Sequence, residues 1–149
     1  MEGNSKLPKA TMVSGAFIWI GLVLGISFIE SWLKFQAPGI TVDLGVGIGR
    51  LVFGFVNKVE IVLALILILA LWKCTRSWGK IKPHLRNTLG LVVLVLMIQT
   101  FILLPVMDAR ADLRLQGTEV GPSFLHIYYV AGEILKVVGL SIFGMKSIL

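Results

Sequence analysis

The chain has 149 residues, 56% of them hydrophobic and 15% charged, with a formal net charge of +6 and a mean hydropathy of +0.91. Soluble domains carry about 25% charged residues, so the composition excludes an ordinary water-soluble enzyme. Four spans of about 20 residues with short connections would use nearly the whole length and leave no room for a soluble catalytic domain.

The first predicted span is residues 12–33. Lys6 and Lys9 precede it as they would a signal peptide, but the apolar run is longer than a signal core. It leads into Glu30, Ser31 and Trp32 rather than a small-residue cleavage site, so a retained helix is expected. Gly15, Gly21 and Gly25 offer close approach to another helix, Gly21 and Gly25 as a small-xxx-small pair. Pro38 and Gly39 break the span. The Gly-rich stretch 39–49 is expected as a surface loop or a short re-entrant segment.

The second predicted span is residues 50–72, followed by a basic connection, 73–86, closed by Pro83. Cys74, the single cysteine, excludes an intrachain disulfide and a cysteine-based metal cluster. The third span is residues 87–107, ending near Pro105, and 108–122 reads as a charged loop bounded by Gly and Pro. Ser123 can cap the fourth span, residues 124–145.

These elements predict one domain, an all-α integral membrane protein built as an antiparallel four-transmembrane-helix bundle. Lys6 and Lys9 precede span one, Lys73, Arg76, Lys80, Lys82 and Arg86 separate spans two and three, and Lys146 follows span four. The positive-inside rule then places both termini in the cytoplasm of a bacterial inner membrane. It also accounts for the basic excess, so nucleic acid is not an expected partner. Trp32, Trp72, Trp78 and the Tyr128–Tyr129 pair fall near the expected interfaces.

Ionisable residues inside such spans are costly and usually face a partner, a cavity or a pathway. In span four, His126, Tyr129, Glu133 and Lys136 share one side of a helix. Glu133 lies about 13 Å inward from Phe124, close to the middle of a hydrocarbon core about 30 Å thick. In span two, Arg50, Asn57 and Glu60 share a side, with Lys58 displaced by one position. Two carboxylates and two ammonium groups at similar depth could neutralise one another as structural ion pairs, or form a proton-binding site whose occupancy changes with substrate. Gln99 is the only strongly polar side chain in the apolar body of span three and suits packing or ligand contact alike.

An outer tier holds Glu30, Arg50, Asp108, Arg110 and His126. The alternating charges from Asp108 to Arg114 suit solvated loop ion pairs. Alternatively, Arg50 and Arg110 form a vestibule for an anionic group above Asn57, Glu60 and Glu133. The inner halves of spans two and three are almost pure Ile, Leu and Val, which favours a funnel open outward.

No phosphate loop, dinucleotide fingerprint, nucleophile elbow or zincin motif is present, and the two histidines lie at opposite ends. No cofactor or metal is therefore expected, and no catalytic residue is assigned. Three functions remain: a proton-coupled small-molecule transporter, an accessory or assembly subunit, or an intramembrane enzyme acting on a lipid-linked or isoprenoid substrate. The enzyme would use His126 or Glu30 as base and Arg110 to hold an anionic group. The expected partners are the lipid bilayer, a small-molecule or lipid ligand, and a second copy of the chain or another membrane protein.

Overall fold

Apolar runs with few turn residues wind into four long helices. They are α1 (Lys6–Gln36), α2 (Val42–Cys74), α3 (Pro83–Leu115) and α4 (Leu125–Ile148), each long and apolar enough to cross a membrane. The computed structural model describes residues 3–75 and 81–148. Arg76, Trp78 and Lys80 of the basic connection lie outside the described residues.

The helix ends have local causes. The Thr41 hydroxyl accepts the Leu44 N–H at 3.2 Å, and Asp43 in the first turn complements the positive end of the helix dipole. Helix α2 therefore starts at Val42, so within the stretch 39–49 only residues 39–41 form a connection, with Gly39 at φ 82°, and the rest is helix rather than loop or re-entrant segment. Gly45, Gly47 and Gly49 lie in the first turns of a continuous helix. Ser123 caps α4 as expected, its hydroxyl accepting the Leu125 N–H at 3.2 Å.

Helix α3 runs through Pro105 instead of ending there. The turn before the proline, Gln99–Leu103, is wound as π-helix, a re-spacing that accommodates the missing backbone donor. The charged segment expected as a loop is helical as far as Leu115. It stops at Gly117, whose φ of 81° permits paired bonds from Gly117 N–H to the Arg114 carbonyl and from Thr118 N–H to the Leu113 carbonyl. A second π-wound stretch, Val23–Glu30, lies in α1.

The result is an all-α four-helix bundle. Helix α1 lies between α2 and α4, α4 lies between α1 and α3, and α2 meets α3 most along the segment Leu104–Leu115. Lys34, Arg50, Asp108 and His126 gather at one end of the bundle, named the outer end, and Lys9, Cys74, Lys82 and Lys146 at the other, the inner end, so neighbouring helices run antiparallel. Gly15 provides the close approach of α1 to Leu67 of α2. Gly21 and Gly25 do not: a side-chain carbon at either position would meet nothing within 4 Å.

The core has two layers. The larger centres on Leu67, Val92, Leu96, Leu140 and Phe143 in the inner half. The smaller consists of Phe53, Leu104 and Tyr129 toward the outer end, with the Phe53 and Tyr129 ring centroids 5.3 Å apart. Outside the bundle the surface is apolar as well: Leu51, Phe101 and Phe124 are each at least 70% exposed.

Candidate functional site

Between the two apolar layers lies a charged knot to which all four helices contribute. Glu60 of α2, Glu133 and Lys136 of α4 are each 0% exposed. The Lys136 ammonium donates to Glu60 Oε1 at 2.5 Å and lies 3.0 Å from Glu133 Oε1. The spacing of Glu133 and Lys136, one helical turn apart, puts both on the inward face of α4. Trp19 of α1 donates its indole N–H to Glu60 Oε1 at 2.7 Å. Gln99 of α3 donates its amide to Glu133 Oε1 at 3.0 Å and to the Tyr129 carbonyl at 3.1 Å.

One ammonium between two carboxylates gives the knot a formal charge of minus one. Its hydrogen bonding is also incomplete. Among the described residues, Glu60 Oε2, Glu133 Oε2, Gln99 Oε1 and the Tyr129 hydroxyl are buried without a partner, as is Ser27 Oγ. Buried polar atoms nearly always find partners, so the orphaned oxygens on both carboxylates set this cluster apart from a fully paired structural ion network.

Asn57 lies about one turn outward from Glu60 on α2 and donates to Thr100 Oγ1 at 2.9 Å. Phe53, Leu104 and Tyr129 come next and close the knot from above. Phe53 also belongs to the wall of an outer cavity of about 290 Å³, with Lys34, Arg50, Asp108 and His126. Arg50 pairs with Asp112 and, through Nε at 3.5 Å, with Asp108. A shallower cavity of about 280 Å³ adjoins it, sharing Met107 and His126 and adding Arg110 and Arg114. The Arg110 guanidinium donates to the Gly121 carbonyl at 2.5 Å, and Arg114 pairs with Asp43 at 2.9 Å.

The candidates thus divide by place. Glu60, Gln99, Tyr129, Glu133 and Lys136 meet in the knot, with Asn57 above it. Arg50, Asp108 and His126 line the outer cavity, while Arg110 faces the shallower one. Glu30 lines neither and pairs with Lys34 at 3.4 Å. Lys58 belongs nowhere in this set: it is exposed on the outer face of α2, because two residues along a helix turn it about 200° from Glu60. The expected pairing of two carboxylates with two ammonium groups is therefore corrected to two carboxylates with one.

Sequence reasoning passed over Trp19 and Lys34. A tryptophan in mid-span needs a partner for its N–H when buried, which was a usable signal for Trp19. Lys34 stands four residues after Glu30, a spacing that suits an ion pair along one helix face.

Comparison of the chain with protein-family models, with curated proteins and with solved structures found no match. The class is therefore defined by architecture: a small all-α bundle of long apolar helices, consistent with membrane association, around a buried cluster of charges.

Proposed function

We propose that the chain is an integral protein of a bacterial inner membrane, with both termini cytoplasmic, and that it moves a small molecule coupled to protons, working as a homodimer. The observation carrying this reading is the knot itself. Lys136 is shared by Glu60 and Glu133, and each carboxylate keeps one buried oxygen unpartnered. A proton arriving at either oxygen takes the knot from minus one to neutral, a change large enough in a poorly polarisable interior to bias the packing of all four helices. The outer cavity supplies a solute site on the same side as the thin Phe53–Leu104–Tyr129 layer. Four spans give one chain little room for alternating access, which is why a second copy belongs to the proposal.

Solid-supported-membrane recording on proteoliposomes tests this with a panel of organic anions, organic cations and zwitterions. A solute-evoked current that grows with an inward proton gradient and disappears in Glu60→Gln and Glu133→Gln is the expected result. A current from the wild type that ignores both substitutions would remove the knot from the mechanism. Silence across the panel would move the protein to the second reading.

That second reading, an assembly subunit, draws on Lys58. An ammonium exposed on an apolar helix face, between Phe55 and Val62, would suit a carboxylate on another membrane protein. Since Lys58 makes no contact with the knot, Lys58→Leu is expected to change the stability of the purified protein by no more than about 0.5 kcal/mol, measured by thermal unfolding. For an assembly subunit, the same change would release the partner. The enzyme reading receives less support, because Glu30 lines neither cavity and Arg110, its anion-holding residue, lines only the shallow one.

A further inference from the structure

Lys34 is a cation that the outer end of the bundle folds inward. Its side chain is 10% exposed and lines the outer cavity. Its one carboxylate neighbour among the described residues, Glu30, stands 3.4 Å away, whereas a good charge-assisted bond measures about 2.7–2.9 Å. The rest of its surroundings are aromatic: the ammonium sits 5.6 Å from the ring centroids of Phe35 and of Phe53. An ammonium carries three donors, so one long contact and two ring faces leave it short of acceptors. Arg50, in the same wall, already has Asp108 and Asp112.

The glycines of α2 make this placement possible. A side-chain carbon at position 49 would stand 3.0 Å from Lys34 Nζ, and one at position 45 would overlap the Phe35 ring. The first turns of α2 therefore offer bare backbone on which the ammonium and the ring rest, and that accounts for glycine at positions 45 and 49 inside a helix.

The surroundings select the charge and character of a guest. Arg110 and Arg114 line the adjoining shallow cavity; Arg114 is matched by Asp43, whereas Arg110 bonds only the Gly121 carbonyl among the described residues, so its charge favours the approach of anions. In the deeper cavity Arg50 is already matched by Asp108 and Asp112, so the Lys34 ammonium, with its single long contact to Glu30, is the cation left for an anionic guest. Phe35, Phe53, Leu104 and Met107 make the remaining wall apolar. A volume of about 290 Å³ lies at the bottom of the usual range for ligand pockets, about 300–1,000 Å³.

The geometry points to a small amphiphilic carboxylate as the ligand of the outer cavity, its head on the Lys34 ammonium and its short apolar chain against Phe53, Leu104 and Met107. This names the solute class for the transport function proposed above and rests on that reading of the cavity as the solute site. It also shifts the role of anion anchor from the Arg50–Arg110 pair to Lys34.

Isothermal titration of the full chain in nanodiscs tests it, with hexanoate, hexanol and hexylammonium as probes and empty nanodiscs correcting for partition. Saturable hexanoate binding is expected, with hexanol and hexylammonium weaker by at least about tenfold. Lys34→Gln is expected to weaken hexanoate by a similar factor, Gly49→Ala to weaken it by displacing the ammonium, and Lys58→Gln to leave it unchanged. Hexanol binding as tightly as hexanoate, no saturable hexanoate binding, or unchanged binding in Lys34→Gln would each overturn the assignment. Should Lys34→Gln fail to fold, the ranking of the three probes on the wild type decides. Titration needs no gradient, so binding that depends on Lys34 without any solute-evoked current would sink the transport reading and leave this one standing. Currents from solutes indifferent to Lys34→Gln would do the reverse.

Discussion

Lys136→Met is expected to destabilise the bundle by about 3–5 kcal/mol, the usual penalty for removing one partner from a buried ion pair. The substitution keeps an unbranched apolar stem, shorter by the one charged atom, so packing against the inner core is largely conserved. What it removes is the only cation within 4 Å of Glu60 or Glu133 among the described residues. Trp19 and Gln99 would still donate one hydrogen bond to each carboxylate, but neither supplies a countercharge. Unfolding followed by denaturant titration in mixed micelles would show the loss. The decisive comparison is the triple variant with Glu60→Gln and Glu133→Gln added, which removes all three charges at once and is expected to recover most of the stability. A loss below about 1 kcal/mol in Lys136→Met alone would mean that the knot contributes little to holding α2 against α4.

Gly139→Ala is the second substitution expected to act strongly. A β-carbon there would stand 2.6 Å from Val92 Cγ2, and Val92 is fully buried. Valine in a helix has essentially one side-chain rotamer, so it cannot swing aside and α4 must move away from α3. Overpacking of this kind costs about 1–3 kcal/mol. Because the same seam carries the Gln99–Glu133 bond, the displacement is also expected to loosen the knot. Val92→Ala in the same chain should restore the fit, and a double-mutant cycle measured by thermal unfolding would show the coupling. Gly21→Ala is the control: nothing lies within 4 Å of its added carbon, and relief of glycine's helix penalty predicts a gain of about 0.5–1 kcal/mol.

Both substitutions depend on features with different visibility in the sequence. The inward face of α4 was legible, because a turn's spacing between Tyr129, Glu133 and Lys136 defines a stripe whatever the helix packs on. Number and approximate position of the four helices were legible for the same kind of reason: a long apolar run without turn residues has few alternatives to a helix. The ends were less so. Thr41 capping a helix through its glycines and a π-turn carrying α3 past Pro105 are local hydrogen-bond solutions that override the breaking tendency of those residues.

Four long apolar helices with carboxylates and an ammonium at matching depth can be read from the chain, because length, hydropathy and helical period are properties of each segment alone. Which groups become partners is a matter of packing. Helical period says that Lys58 and Glu60 cannot both face inward, but the rotation of α2 against its neighbours selects Glu60 and turns Lys58 out. The same packing puts Trp19 on Glu60, and it rests Lys34 on the bare backbone of α2. Rotation is set by how glycines and branched side chains interlock between helices, and that fit exists only when the helices are together.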